Sequence, residues 1–244
     1  MENIIELNNV SFSAQEGKIV QDITVKFNSE KITAIVGPSG CGKSTVLKLS
    51  AGLLVPNQGE VYYKEKNIAH MNRSENLEYR RDSAFVFQDS ALWANQNLYQ
   101  ILELPLRIHY PQMNKKQRAE RIKEVTGIVG YKKELDIRPS RLSMGEQKLI
   151  GFARALLCNP SLLYLDEWTE SLDETAADRL IGLVKQKKKE GATVLFVCHD
   201  MRIIKDIADY VVILVEGKVV FQATKEDVMN DPELSNYIKM RIAL

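Results

Sequence analysis

The chain has 244 residues, of which 45% are hydrophobic and 27% charged, and its formal net charge is +1. These proportions are typical of a globular protein with a sizeable core, and the balanced charge gives no reason to expect nucleic acid as a partner. The three cysteines, Cys41, Cys158 and Cys198, share no metal-binding spacing and indicate a reducing compartment. No signal peptide is visible and the apolar runs are too short to cross a bilayer, so any membrane spans would belong to another chain.

The first third of the chain shows short apolar runs separated by turn residues. Such runs predict β-strands over 4–7, 18–20, 23–27, 31–36 and 60–63, and a further compact strand over 84–87. The strand at 31–36 leads directly into a glycine-rich stretch, and a helical pattern begins after it. That stretch reads Gly37, Pro38, Ser39, Gly40, Cys41, Gly42, Lys43, Ser44 and Thr45.

This stretch matches G-x-x-x-x-G-K-[ST], the phosphate-binding P-loop pattern. Backbone N–H groups in such a loop, together with the following helix N-terminus, cradle phosphate oxygens. We expect Lys43 to reach the β- and γ-phosphates, and the hydroxyl of Ser44 to contact a Mg²⁺ ion. The pattern therefore predicts nucleotide binding.

A helical texture is predicted between residues 89 and 160, where apolar residues recur at three- and four-residue spacing. We expect Pro105, Pro111 and Pro139 to break this segment into pieces. Beyond it, buried strands over 162–165 and 194–197 flank a charged helix over about 173–189. This alternation predicts a parallel sheet covered on both faces. A hairpin formed by 211–214 and 218–221 and a short helical tail complete the prediction.

Polar residues follow three of the predicted strands. Asp166 and Glu167 end the strand over 162–165, where a carboxylate can hold Mg²⁺ and another can orient the water that attacks a γ-phosphate. Gln88 closes the strand over 84–87. His199 follows the strand over 194–197, at the edge where ligands bind in open α/β sheets.

The stretch from Leu142 to Gln147 reads LSMGEQ. Ser143 and Glu146 form a capping box that starts a helix. A helix N-terminus with Ser143 and Gly145 is also an anion site, which could face a phosphate held by another subunit. These two interpretations are compatible.

In this order the motifs resemble those of the ATP-binding subunits of ABC transporters, over nearly the whole chain. The stretch 37–45 resembles their Walker A motif, 162–167 their Walker B motif with its catalytic glutamate, and 142–146 their LSGGQ signature. Gln88 is similar to their Q-loop glutamine, His199 to their switch histidine and 171–173 to the end of their D-loop. The resemblance implies catalytic roles for Glu167, His199 and Lys43. It implies that ATP is contacted by 37–45, Gln88, Ser143 and Gly145. It also implies that Mg²⁺ is contacted by Ser44, Gln88 and Asp166.

The resemblance also implies an α/β P-loop NTPase fold: a RecA-like parallel sheet core, an antiparallel β subdomain and an inserted α-helical subdomain. Residues 1–244 would form a single ATPase domain, with 1–88 and 160–222 in the core and β subdomain, 89–159 in the helical subdomain and 223–244 as the tail. It implies ATP and Mg²⁺ as cofactors, and a head-to-tail dimer that sandwiches two ATP molecules. Partner permease subunits would hold the chain at the cytoplasmic face of the membrane, with Gln88 linking the site to the groove that receives them.

Several residues depart from the family pattern. Met144 stands where the signature usually has glycine, and Glu146 replaces a glutamine, which adds negative charge near a triphosphate. Trp168 and Glu170 replace the proline and serine that usually follow the catalytic glutamate, a change expected to alter D-loop packing. The family's adenine-stacking tyrosine near Ala14 is absent.

Two stretches indicate the type of ABC ATPase: residues 87–93, which read FQDSALW, and residues 104–107, which read LPLR. Both are similar to phospholipid-transport ATPases of the Mla, or MCE, type, which implies a lipid-binding MCE protein as a further partner. Lipoprotein-release and amino-acid importer ATPases share parts of this pattern. A soluble ABC ATPase without a permease, such as the iron–sulfur assembly type, and a regulatory module that hydrolyses ATP poorly also stay open.

Overall fold

A computed structural model describes residues 2–14 and 17–230. Its strands are β1 (Asn3–Ala14), β2 (Gly17–Asn28), β3 (Ile32–Val36), β4 (Gln58–Tyr63), β5 (Lys66–Asn67), β6 (Ser83–Val86), β7 (Leu162–Asp166), β8 (Thr193–Val197), β9 (Tyr210–Val215) and β10 (Lys218–Thr224). Its α-helices are α1 (Lys43–Ser50), α2 (Arg73–Asp82), α3 (Leu98–His109), α4 (Lys115–Val129), α5 (Met144–Leu156), α6 (Glu174–Lys189), α7 (Met201–Ile207) and α8 (Lys225–Asn230).

The larger sheet has the strand order β10-β9-β3-β8-β7-β6. All neighbouring pairs from β9 to β6 are parallel, and β10 joins β9 as an antiparallel edge. The strands β3, β7 and β8 are buried on both faces, as their continuous apolar sequences predict. Parallel strands bring their carboxyl ends to one edge, and the predicted site residues follow these ends. The predicted α/β P-loop fold is confirmed.

The two faces of this sheet bury different layers. Alternate residues such as Leu163 and Leu165 pack with helices α3 to α7, whereas Leu162 and Tyr164 pack with α1 and the smaller sheet. That smaller sheet is antiparallel, with the order β2-β1-β4-β5. The period-two alternation of side chains therefore joins a helical layer and a β layer through one central sheet.

The structure corrects two expectations about the elements. Pro105 lies inside α3 and does not break it, because the helix keeps its apolar face of Leu98, Ile101, Leu102 and Leu106 in the core. The predicted strands over 18–20 and 23–27 form one strand, β2, in which Asp22 adopts a φ of +48° next to an irregular register with β1. Such irregularities bend a long strand without ending it.

Two helices lie where the sequence predicted none. Helix α2 buries only Tyr79, and its polar sequence carries no apolar stripe. Helix α7 follows the segment that contains His199 and buries Ile203, Ile204 and Ile207. Among the residues that the structure describes, no helix is both long and apolar enough to cross a membrane.

The division into 1–88, 89–159, 160–222 and 223–244 stays a prediction. The strand β10 continues through Thr224, two residues beyond the predicted boundary, and α8 follows it directly. The rest of the predicted tail, residues 231–244, lies outside the described residues.

Candidate functional site

The P-loop forms the turn between β3 and α1 at the carboxyl edge of the parallel sheet. β3 ends at Val36, and α1 begins at Lys43 with Gly42 as its N-cap residue. Gly37 has a φ of +156°, and a Cβ placed there would lie 2.1 Å from the carbonyl oxygen of Leu214. Glycine is required where two backbone segments approach so closely. Strand β9 therefore helps to fix the shape of the predicted phosphate cradle.

The polar side chains of the P-loop contact different partners. The Lys43 ammonium donates to the carbonyl oxygens of Gly37 at 3.0 Å and Pro38 at 2.8 Å. Ser44 Oγ donates to Asp166 Oδ1 at 2.7 Å. Burial raises the pKa of Asp166, and the hydrogen bond from Ser44 opposes that rise. The structure thus brings together Ser44 and Asp166, two of the predicted Mg²⁺ ligands.

Glu167 and His199 form a second pair beside the P-loop. Glu167 Oε1 lies 2.9 Å from His199 Nε2. Burial, assisted by the charges of Glu170 and Asp166, raises the pKa of Glu167 to about 7, while Lys43 opposes this rise. Burial also lowers the pKa of His199. A carboxylate whose pKa lies near 7 suits proton acceptance at neutral pH.

The donors at this edge fit Mg²⁺ and a triphosphate. The hydroxyl of Ser44 and the carboxylate of Asp166 are hard oxygen ligands, and Mg²⁺ usually takes one or two carboxylates together with substrate phosphates. Within residues 2–14 and 17–230 no group of three or more His, Cys, Asp or Glu side chains could hold a metal ion. Phosphate oxygens would therefore complete the coordination. MgATP, when bound, supplies the phosphoryl group and neutralises its developing charge.

Gln88 follows β6 and is exposed. Its side-chain Nε2 donates to Glu170 Oε2 at 3.2 Å. Its main-chain carbonyl oxygen accepts a hydrogen bond from Lys148 Nζ at 2.5 Å. These contacts connect the predicted Q-loop to the segment after β7 and to α5. The expected contact of Gln88 with the metal stays a prediction.

The predicted capping box starts α5. Ser143 Oγ accepts a hydrogen bond from the Glu146 N–H at 3.2 Å, and Glu146 Oε2 accepts one from the Ser143 N–H at 3.0 Å. Lys133 Nζ lies 2.5 Å from Glu146 Oε1. These two interactions lower the pKa of Glu146, the bond from Lys133 contributing most. The extra negative charge that the sequence places here is balanced by Lys133 of the same chain.

The two residues between Ser143 and Glu146 have different surroundings: one faces solvent and the other lies against the chain's own backbone. Met144 has 71% of its surface exposed, so its side chain projects into solvent at the start of α5. A Cβ on Gly145 would lie 3.0 Å from the carbonyl oxygen of Ser171, which places the signature segment against the predicted D-loop of its own chain. The helix N-terminus is thus open on its outer side.

A family model described as "ABC transporter" matches residues 20–170, more than half of the chain. The chain belongs to the ABC transporter family. Members of this family bind ATP and hydrolyse it with Mg²⁺, in agreement with the P-loop, the Ser44–Asp166 contact and the Glu167–His199 pair.

Curated ABC relatives cover most of the chain. It is 33% identical to the methionine import ATP-binding protein MetN of Corynebacterium jeikeium over 88% of this chain and 58% of that protein. It is 30% identical to the L-cystine import ATP-binding protein TcyC of Bacillus subtilis, over 94% of each. It is also 30% identical to the intermembrane phospholipid transport ATP-binding protein MlaF of Haemophilus influenzae, over 96% of this chain and 88% of MlaF. The chain thus spans little more than half the length of the first of these.

Solved ABC cassettes share the fold. A dimeric post-hydrolysis state of the ATP-binding cassette MJ0796, bound to ADP and Pi, superposes with a TM-score of 0.84. The two chains are 28% identical, and the match covers 91% of this chain and 98% of that one.

The structure adds two residues that the sequence did not place in the site of this ABC protein. Lys148 donates to the carbonyl oxygens of Gln88 and Glu167, and Glu170 accepts from Gln88. The position of Lys148 in the sequence could have indicated this, because Lys148 stands three residues before Gly151 and four before Phe152, on the helical spacing of the buried face of α5. A charged residue on such a stripe indicates a buried, paired group.

Trp168 packs beneath the carboxyl edge of the parallel sheet. It is fully buried, and its ring centroid lies 5.7 Å from that of Phe152 on α5. Its indole nitrogen has no hydrogen-bond partner within the described part of the chain. Trp168 thus fixes the segment after Glu167 by packing against the signature helix, as a large apolar side chain in the core.

Proposed function

We propose that the chain hydrolyses ATP as one half of a head-to-tail pair and thereby drives membrane-spanning permease subunits. The observation that carries the proposal is the separation of two site halves. Within residues 2–14 and 17–230, no hydrogen bond joins 143–145 to the P-loop, and Ser143 and Met144 lie exposed. A second copy would bring these residues to the nucleotide, in line with the dimeric cassette that shares this fold.

The proposed roles follow from the contacts. Lys43 and the P-loop backbone bind the phosphates, while Ser44 and Asp166 hold the Mg²⁺ ion. Glu167 accepts the proton of the attacking water, and His199 orients its carboxylate. Gln88 senses the site through its contact with the segment after β7, and Ser143 and Gly145 contact the ATP held by the other copy.

The permease would dock in a groove beside the Q-loop. This groove has a volume of 410 Å³ and is lined mainly by apolar side chains, among them Leu53, Phe85, Phe87 and Trp93. Trp93 and Leu53 keep 45% and 41% of their surface exposed, and Arg154 lies over the Trp93 ring. We infer that a permease segment with an apolar anchor and acidic flanking residues fills it, which holds the chain at the cytoplasmic face of the membrane.

The cargo that we propose is phospholipid, with a lipid-binding MCE protein as a further component. The match to MlaF, which extends over nearly the full length of both chains, supports this cargo together with the similarity of 87–93 and 104–107. Amino-acid import is the second candidate, because the methionine and cystine import relatives match at similar identity.

Co-purification of the tagged chain from its own membranes tests the proposal. We expect a permease to accompany the wild-type chain, and ATP turnover in lipid nanodiscs to respond to phospholipid more than to amino acids. Trp93→Glu should abolish this association but leave turnover of the isolated chain unchanged. Val55→Glu, at an apolar residue that is 75% exposed outside the groove, is the control. Equal retention of the permease by both variants would exclude the groove as the docking site. A turnover response to amino acids alone would exclude phospholipid as the cargo and favour amino-acid import.

A further inference from the structure

Lys148 lies on the buried side of α5, one turn after Gly145, with 4% of its surface exposed. Its ammonium donates to the carbonyl oxygen of Gln88 at 2.5 Å and to that of Glu167 at 2.9 Å. A buried ammonium is costly unless hydrogen bonds and opposite charges compensate it. Because both acceptors are main-chain atoms, the contact fixes the backbone of two segments that carry predicted site residues.

The surroundings of Lys148 supply the compensating charge. Burial lowers the pKa of its ammonium, and the carboxylates of Glu170, Asp166, Glu167 and Asp89 oppose this shift. These carboxylates come from the ends of β6 and β7, whereas Lys148 comes from the signature helix. The lysine therefore occupies the point where the three segments meet.

The backbone of Glu167 needs such support. Its φ is +44°, in the left-handed region that residues with side chains seldom adopt. Its N–H donates to the carbonyl oxygen of Val197 at 3.1 Å, and its own carbonyl accepts from Lys148. Strained conformations persist where surrounding contacts over-determine them. On the carbonyl side of this peptide, Lys148 adds a side-chain contact to that of the Glu170 N–H, which donates to the same oxygen at 3.3 Å.

We propose that Lys148 is a positioning residue for ATP hydrolysis, tying the signature helix α5 to the backbone of Glu167 and to the Q-loop at Gln88. A movement of the α5 N-terminus then reaches the backbone of the hydrolytic carboxylate directly through this ammonium group, beside the packing of Trp168 on Phe152. This inference rests on the proposed roles of Glu167, Gln88 and the signature segment. It adds a connection within one chain between the half-site that a partner copy uses and the half-site that hydrolyses ATP.

Steady-state kinetics and ATP binding of the full chain test the inference together. Lys148→Met keeps most of the side-chain volume but removes both hydrogen bonds, and a carboxylate misplaced by about 1 Å is expected to lower kcat roughly tenfold to a hundredfold. Affinity for ATP, measured in EDTA by the emission of Trp168 in a Trp93→Phe background, should change less than about twofold, since the variant leaves the P-loop contacts intact. Lys148→Arg keeps the charge and should recover part of kcat.

Controls separate positioning from stability and from the proposed function. Lys116→Met removes an exposed lysine of the same subdomain and should leave kcat and the thermal unfolding midpoint unchanged. If Lys148→Met does not fold, Lys148→Gln, which removes the charge but stays polar, takes its place: a lower kcat at unchanged ATP affinity supports the inference, and a wild-type kcat overturns it. A folded Lys148→Met with wild-type kcat overturns it as well. A Glu167→Gln variant that turns over ATP like the wild type would instead refute the proposed role of Glu167.

Discussion

The two halves of the proposed nucleotide site are built differently within this one chain. In the P-loop half, Lys43, Ser44 and Glu167 all have hydrogen-bond or ion-pair partners in their own chain, and Gly37 touches a neighbouring strand. In the signature half, Met144 projects into solvent on the outer side of α5. The first half is complete in shape, whereas the second presents an open helix N-terminus.

Under the proposed pairing, this difference separates the residues that a second copy would contact from those that it would not influence directly. Substitutions in the P-loop half should act on binding and chemistry in the isolated chain. Substitution of the exposed Met144 in the signature half should act on pairing, since its side chain has little contact to lose within its own chain. The predictions below test that separation.

The largest effect should come from Glu167→Gln. The amide cannot accept the proton of the attacking water, and loss of a general base typically lowers turnover about 10²–10⁴-fold. ATP binding should persist because the P-loop contacts are unchanged. We therefore expect ATP turnover, measured by phosphate release, to collapse, while gel filtration at saturating ATP shows a stable dimer.

Glu170→Gln is the matched control for this variant. Glu170 is an exposed carboxylate three residues later that accepts from Gln88, and its replacement should reduce turnover far less. Turnover of the Glu167 variant at the wild-type rate, or an equal loss in both variants, would break the assignment of the chemistry to Glu167.

The segment that follows Glu167 is anchored in the core by Trp168. Trp168→Ala tests how much this packing stabilises the fold. The indole is fully buried against Phe152, and truncating a buried Trp typically costs about 3–5 kcal/mol of unfolding free energy. Urea unfolding should show this loss, whereas Trp93→Ala, at a half-exposed tryptophan, should show a much smaller one. Equal losses at the two positions would contradict the packing described beneath the carboxyl edge of the parallel sheet.

Much of the P-loop half could be predicted from sequence because its signals are local. The spacing of Gly37, Lys43 and Ser44 is read within nine residues, and Asp166 and Glu167 stand directly after an apolar strand. The capping box of Ser143 is equally local. In these places the pattern itself specifies the backbone geometry: the capping box forms as expected and Ser44 meets Asp166, while the contacts of Lys43 with phosphate and of Ser44 with Mg²⁺ stay predictions.

Other features depend on tertiary contacts that no local pattern encodes. The bonds of Lys148 join residues 60 and 19 positions apart in the chain. Helix α2 has a polar sequence and buries Tyr79 alone, and α3 tolerates Pro105 because its apolar face is held in the core. The balance of Glu146 by Lys133 likewise requires the fold of the helical segment.

Met144→Gly tests whether the exposed signature half acts on pairing of two copies. Pairing would have to immobilise the exposed methionine, and ordering such a side chain costs about 0.5–1.5 kcal/mol. The head-to-tail dimer would contain two such methionines, so removing them in the Glu167→Gln background should tighten the ATP-bound dimer by about fivefold to a hundredfold, measured by analytical ultracentrifugation. Gly145→Ala is the opposing control, because its Cβ would crowd the Ser171 carbonyl at 3.0 Å. A dimer weakened by Met144→Gly would place the methionine in a favourable contact.

The smallest effect should come from Glu146→Gln, which removes a charge that Lys133 balances within the chain. The pKa of the Glu146 carboxyl group is lowered, so its ionised form stabilises the fold fully above the ordinary pKa of glutamate. This contribution is lost as the pH falls through the lowered pKa. The variant should lose less than about 1 kcal/mol at neutral pH, since the lysine of the pair is largely exposed. The difference from wild type in urea unfolding should then vanish at acid pH. Glu120→Gln, at an exposed glutamate of α4, is the control, with no difference expected at either pH. A large gain in turnover for Glu146→Gln would show instead that this charge acts on the nucleotide of a second copy.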